Sequence, residues 1–160
     1  MLRKRILADH PMEPVPPMDL WDVPSRATVL VTSEASDHPV DHLFDTLGGP
    51  GGSRWVAGTD GEQTLILAFD QPQSVRQVGI EAEERERSRT QVLCVSFSVD
   101  GGRTYRDRIQ QEFNFSPSGA TFQRETWAMP AEGVTHLRVT VRPDKGDAPG
   151  RASLTALTLR

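Results

Sequence analysis

Short stretches in which apolar and polar residues alternate recur along the chain from Ala27 onward, separated by clusters of glycine, proline, aspartate and serine. The clearest stretch covers residues 95–99 and is stopped by Asp100-Gly101-Gly102. Strict alternation indicates a strand with one buried face and one solvated face. An Asp-Gly pair favours a tight hairpin turn, because that turn needs positive φ angles. This segment therefore predicts a β-hairpin in an antiparallel sheet.

The other alternating stretches predict further strands whose apolar residues share one face. The predicted core-facing sets are Val29 and Val31; Leu65, Leu67 and Phe69; Val78, Ile80 and Ala82; Leu93, Val95, Phe97 and Val99; Leu137, Val139 and Val141; and Leu157 and Leu159. Strands are expected to end at Pro72 and near Pro130, because proline cannot donate to the strand ladder. At most a single helical turn fits, within residues 39–44. Many short strands separated by turns predict an all-β sandwich or barrel.

Composition adds a domain division and excludes some partners. Residues 1–26 hold five of the 12 prolines and are predicted to form an extended proline-rich N-terminal arm, followed by one domain over residues 27–160. The net charge of −4 disfavours a nucleic-acid partner. The apolar stretch near the N-terminus is shorter than the roughly 7–15 residues of a secretory leader. Since the chain also has no segment that could span a membrane, a cytoplasmic location is expected.

Several motifs occur in an order that resembles a known family. They are residues 33–36, Leu43-Phe44-Asp45, a glycine-rich loop reaching Ser53-Arg54-Trp55, residues 65–70, residues 98–105 and residues 136–141 before a terminal apolar strand. This succession, from roughly Thr28 to Arg160, resembles the discoidin domain, also called the coagulation factor V/VIII type C domain. The resemblance implies the antiparallel jelly-roll β-sandwich of the galactose-binding-like superfamily, with about eight strands. It also implies that Trp55 packs in the core.

The same resemblance implies a candidate calcium site at Asp45. Members of this family often bind a structural calcium through the aspartate that Asp45 matches, loop carbonyls and an acidic residue in the last strand. The position of that acid here matches Ala156. Calcium takes about 6–8 oxygen ligands, so losing a carboxylate weakens the site. Calcium at Asp45 is therefore an open but disfavoured expectation. His38 and His42 have workable zinc spacing on a helical turn, and the competing interpretation is a solvated loop.

Two segments are candidates for ligand contact. Sugar-binding relatives carry Arg, His, Glu and Asn on loops at one rim, and here Arg85, Arg87 and Arg89 with Glu34 or His38 would form such a set. The competing interpretation of residues 81–89 is a solvated connection between strands. The second segment is Phe113-Asn114-Phe115, where two rings around an amide would make a stacking shelf. The competing interpretation places one ring in the core and the other over a strand edge.

Catalytic motifs are absent from the sequence. There is no Gly-x-Ser-x-Gly elbow, and the run Gly48-Gly49-Pro50-Gly51-Gly52 lacks the following lysine of a phosphate loop, so it is interpreted as a loop. Cys94 falls opposite the core-facing residues of its strand and is interpreted as structural. The resemblance implies a noncatalytic ligand-binding module, with carbohydrate bound by loops at one rim of the sandwich. The alternative is an intracellular protein-interaction or scaffold domain that uses the same rim or an edge strand.

Overall fold

Eight strands are present in the computed structural model, which describes residues 19–160. They are β1 (Ala27–Val31), β2 (Trp55–Val56), β3 (Gln63–Glu83), β4 (Arg89–Ser98), β5 (Arg106–Phe115), β6 (Phe122–Arg142), β7 (Ser153–Leu154) and β8 (Ala156–Leu159). Short 3-10 turns cover Val23–Ser25 and Val40–Leu43, and the second confirms the single predicted helical turn. All strand pairs are antiparallel, as the hairpin pattern predicts. In the described part of the chain, no helix has the length and apolar character needed to cross a membrane.

The two longest strands connect the layers of the sandwich. Strands β3 and β6 pair along their lengths, with three register shifts between Ala68 and Gln77. The first part of β3 pairs with β1 and the last part pairs with β8, while β6 also pairs with β4, which pairs with β5. Side chains from both parts of β3 belong to one hydrophobic cluster. Both halves of the long pair therefore line the same core.

The predicted strand ends at Pro72 and near Pro130 are wrong. Both prolines lie inside long strands, at positions without a ladder partner: Pro72 falls between Ala68 and Gln73, and Pro130 precedes Ala131. Because the register shifts leave these two positions without a ladder partner, neither needs a backbone N–H to donate a ladder hydrogen bond. Proline is tolerated at such bulges for this reason.

The predicted core faces of β3, β4, β6 and β8 are confirmed with one exception, and the predicted face of β1 is half-buried against the same core. Leu65, Val78 and Leu137 are at most 1% exposed, and the other predicted core residues of β3, β4, β6 and β8 are buried with them. Val99 was assigned to the same face but is 65% exposed, because β4 ends at Ser98. Trp55 is fully buried, and its indole N–H donates a 3.0 Å hydrogen bond to the Ser33 carbonyl.

The predicted hairpin joins β4 to β5 through a turn in which Gly101 and Gly102 have φ angles of 79° and 83°. The Asp100 carboxylate organises this turn. It accepts hydrogen bonds from the Thr104 hydroxyl at 2.6 Å, the Thr104 amide at 3.0 Å and the Ser98 hydroxyl at 2.8 Å. These bonds, those from Thr104 above all, hold the pKa of Asp100 well below its ordinary value.

Part of the predicted N-terminal arm is described. Residues 1–18 lie outside the described residues. Beyond them, the Trp21 amide donates to the Leu159 carbonyl at 3.0 Å, and the Trp21 ring meets the Phe69 ring edge-on with centroids 5.8 Å apart. Asp19 forms an ion pair with Arg160 at 3.0 Å. Residues 19–21 therefore pack against the end of β8.

Candidate functional site

A cleft of about 730 Å³ opens where several connections meet at one rim of the sandwich. Its walls come from the β3–β4 connection, the β6–β7 connection and the residues around β2. Asp60, which precedes β3, and Glu84, which follows β3, line the same cleft, so the long strand returns to the rim from which it started. The basic residues in its walls are Arg54, Arg85, Arg87, Arg89 and Arg151.

Glu83, at the end of β3, holds two of these arginines from behind the wall. Its side chain is 1% exposed, and its carboxylate lies 3.2 Å from Nη2 of Arg54 and 3.3 Å from Nη2 of Arg85. The backbone amide of Gly51 donates a third bond at 2.9 Å. A buried carboxylate needs such partners to offset its lost hydration. These contacts place two guanidinium groups at the cleft.

Glu84 and Arg89 form a second ion-pair group. Glu84 Oε1 lies 3.5 Å from Nε of Arg87 and 3.2 Å from Nε of Arg89. The Arg89 side chain is only 6% exposed, and it donates to the Arg151 carbonyl at 2.8 Å. Burial lowers the pKa of Arg89, and the charge of Glu84 opposes that effect. Arg89 thus anchors the backbone of the β6–β7 connection to the start of β4.

The remaining arginines present their charge to solvent. The side chains of Arg85 and Arg87 are 58% and 50% exposed, and Arg54 is 32% exposed. Arg151 is exposed, and its guanidinium makes no hydrogen bond or ion pair within the described residues. The cleft therefore combines donors that are held in position with acceptors on Glu84, Glu86 and Asp60.

Several solved structures have a fold similar to that of this chain. No protein-family model and no curated protein matches the chain. A pectin-binding carbohydrate-binding module has 17% identity and a TM-score of 0.60, covering 84% of this chain and 90% of its own. The CBM32 of AlyQ, in complex with 4,5-unsaturated mannuronic acid, has 18% identity and a TM-score of 0.60, with 88% and 97% covered. The family 32 module of NanJ from C. perfringens, in complex with galactose, has 16% identity and a TM-score of 0.59, with 88% and 96% covered.

The chain has the discoidin-like jelly-roll fold. The resemblance seen in its motifs thus holds at the level of fold.

The discoidin-like fold brings together only part of the predicted ligand set. Arg85, Arg87 and Arg89 line one cleft, whereas Glu34 and His38 are not among its walls. The Glu34 carboxylate instead accepts a 2.8 Å hydrogen bond from the Val40 amide, so it stabilises its own loop. The His38 ring is 3.8 Å from the Asp37 carboxylate. Of the predicted ligand-contact residues at the rim, the cleft therefore contains the three arginines and neither Glu34 nor His38.

The second predicted segment is built differently from a stacking shelf. Phe113 and Phe115 are 1% and 4% exposed, and their rings meet edge-on in the core at 6.4 Å. Both rings therefore belong to the core and offer no ring face to a ligand. Asn114 lies on the opposite, exposed face of β5, where its side-chain carbonyl accepts a 2.7 Å hydrogen bond from Thr90.

The residues around Asp45 do not fit a calcium ion. Both Asp45 oxygens accept bonds from the Ser53 hydroxyl, at 2.9 and 2.7 Å, and the Leu47 amide adds a bond at 2.9 Å. The matching position in β8 is Ala156, which supplies no carboxylate. Within residues 19–160 no group of three acidic, histidine or cysteine side chains is placed to hold a metal. With one carboxylate that is already bonded inside its loop, most of the about 6–8 oxygens that calcium takes would have to come from backbone carbonyls and water.

Several charged residues at the cleft were missed by sequence reasoning, among them Asp60, Arg54, Arg151 and, behind the wall, Glu83. Arg54 and Arg151 come from segments about 100 residues apart in the chain, and Glu83 was expected in a solvated connection. Arg54 did carry a signal, because it belongs to the Ser53-Arg54-Trp55 motif of the resemblance. Arg151 is a single charged residue in a loop and gives no local signal of its role.

Proposed function

We propose that this protein is a noncatalytic carbohydrate-binding module whose ligand occupies the arginine cleft. The observation that carries the proposal is the cleft itself, where held guanidinium donors and carboxylate acceptors lie side by side at the rim of the fold. Sugar hydroxyls both donate and accept, so adjacent donors and acceptors suit them. Three proteins with this fold are described as carbohydrate-binding modules or are in complex with a sugar, which supports the same ligand class here.

The ion pairs in the cleft favour binding over catalysis. Glu83 and Glu84 are each shared by two arginines. A general acid or base must exchange a proton with its substrate at working pH. Carboxylates that already contact two guanidinium groups each are less available to contact a substrate atom. The same ion pairs are well suited to holding the arginines in position.

The proposal is tested with a glycan array probed with the purified protein, once with calcium and once with a chelator. A signal that free sugar competes away supports it, and a single bound sugar is expected to have micromolar to millimolar affinity, or about 4–8 kcal/mol. Arg85→Gln should then weaken binding. A blank array at high protein concentration would overturn the proposal.

A protein-interaction role is the second candidate, and the edge strand β1 favours it. Within the described residues β1 pairs only with β3, and its Leu30 side chain is 49% exposed. An edge strand with free backbone groups can accept a strand from a partner. Leu30→Lys would then reduce capture of a partner by the purified protein, while leaving any sugar binding unchanged.

A further inference from the structure

The charge of the cleft selects among sugars. We infer that the ligand is an acidic saccharide, whose uronate carboxylate is bound at Arg151 and Arg85; this inference rests on the proposed function. Five arginines line the cleft against three carboxylates, and the buried Glu83 behind the wall is a fourth, so one positive charge remains in excess although the chain as a whole carries a net charge of −4. A local excess of positive charge in an acidic protein concentrates anions at that site.

Glu83 and Glu84 lie deeper than two of the arginines that they bind. Glu83 and Glu84, which neutralise part of the cleft, are 1% and 14% exposed, whereas Arg85 and Arg87 are 58% and 50% exposed. A ligand that enters the cleft therefore meets guanidinium groups before it meets these carboxylates. The ion pairs hold the arginines in place, and because two arginines share each of these carboxylates, each group keeps one net positive charge.

Arg151 is the strongest single candidate for the carboxylate contact. Its backbone is held by Arg89, at 2.8 Å from the Arg151 carbonyl, and the neighbouring Gly150 carbonyl accepts the Gly61 amide at 3.0 Å. Its guanidinium has no partner within residues 19–160. A guanidinium group presents a planar fork that matches a carboxylate through two parallel hydrogen bonds. Arg85, bonded through one nitrogen to Glu83, has further N–H groups for the same ligand.

A simple anion would leave part of the cleft unused. Asp60 and Glu86 are exposed in the cleft walls and accept hydrogen bonds but cannot bind an anion. Sugar hydroxyls supply the donors that these carboxylates need. A uronate residue offers both groups on one ring, so it satisfies the arginines and the carboxylates together.

The test is titration calorimetry with tri-galacturonate, tri-glucuronate and the methyl ester of each, alongside neutral galactotriose. The esters keep the ring and lose the charge, so an acid that binds at least about tenfold tighter than its ester, or about 1.4 kcal/mol, supports the inference. Arg151→Gln should reduce binding of the acid by a similar factor and leave the melting temperature unchanged. Arg103→Gln is the matched control, because Arg103 is exposed on the β4–β5 turn, at the other end of β4 from the cleft.

The remaining outcomes separate the two proposals. Equal binding of acids and esters, or binding of galactotriose alone, would overturn the acidic ligand and leave carbohydrate binding standing. Binding of none of these sugars, together with a blank glycan array, would overturn both. Polyglutamate of matched charge that binds as tightly as the uronates would show general attraction of anions and overturn the saccharide. Equal losses in Arg151→Gln and Arg103→Gln would overturn the assignment of Arg151.

Discussion

Replacing Glu83 with glutamine tests whether its buried carboxylate stabilises the residues around the cleft. The substitution keeps the size of the side chain and removes the charge that Arg54, Arg85 and the Gly51 amide share. One carboxylate oxygen becomes an NH₂ group, so at least one of the three donors then faces another donor. The side chain is 1% exposed, so water does not readily replace the lost acceptor.

The size of the effect follows from the exposure of the partners. A hydrogen bond to a charged group contributes about 1.5–3 kcal/mol, which is the scale for the bond from the Gly51 amide to the buried Glu83 carboxylate. Arg54 and Arg85 are 32% and 58% exposed and can return to water, so each ion pair adds about 0.2–1 kcal/mol. We therefore expect the free energy of unfolding to fall by about 2–5 kcal/mol. For a domain of this length the melting temperature should fall by about 4–20 °C.

Urea and thermal unfolding of Glu83→Gln measure this loss. Glu86→Gln is the matched control, because Glu86 is an exposed neighbour with no side-chain ion pair in the described part of the chain. Its free energy of unfolding should stay within about 0.5 kcal/mol of the wild type. Equal stability of the two variants would refute the argument that Glu83 holds the rim together.

Three further predictions concern the core, the hairpin and the loop at Asp45. Trp55→Ala should lower the free energy of unfolding by about 3–5 kcal/mol in urea titrations, and a stable variant that lost sugar binding would contradict its place in the core. Because the pKa of Asp100 is lowered, its ionised form stabilises the fold above the unfolded pKa of about 4, and that contribution is lost as the pH falls through the folded value. The difference in melting temperature between the wild type and Asp100→Asn should therefore be constant near neutral pH and shrink below pH about 4; a gap that is unchanged in acid would contradict it. A chelator should leave the melting temperature unchanged, since Ser53 and Leu47 already bind Asp45, and a drop of several degrees would reveal a bound cation.

Strands and core faces could be predicted because the side-chain period of a strand is local. Side chains two residues apart in a strand point to the same face. The apolar pair Leu65 and Leu67 therefore predicts one buried face, even when the partner strand is unknown. The same rule would have placed Phe113 and Phe115 together, and both are indeed in the core. The length of β3 was not predictable in this way, because Pro72 looks like a strand end unless the bulge that accommodates it is known.

The candidate site was predictable only where its residues are neighbours in sequence. Arg85, Arg87 and Arg89 stand out as a charged run, and they do share one cleft. Arg151 reaches it through the β6–β7 connection, whose position depends on the Arg89 side chain and on the bridge to Gly61. Such contacts form between segments far apart in the chain, and no local pattern encodes them.

The glycine-rich loop contributes to the cleft indirectly, because it covers the Glu83 carboxylate. Along β3, Val78, Ile80 and Ala82 face the core, so alternation places Glu83 on the outer face, where solvent is expected. The glycine-rich loop covers that face: the Gly51 amide donates to Glu83, and Gly51 has a φ of 75° that favours glycine. A Cβ on Gly48 would lie 3.0 Å from the Thr155 carbonyl oxygen and 3.3 Å from a Glu81 carboxylate oxygen, so glycine at this position favours the close approach of the loop. The glycine-rich loop thus buries the Glu83 carboxylate, which holds Arg54 and Arg85 at the cleft.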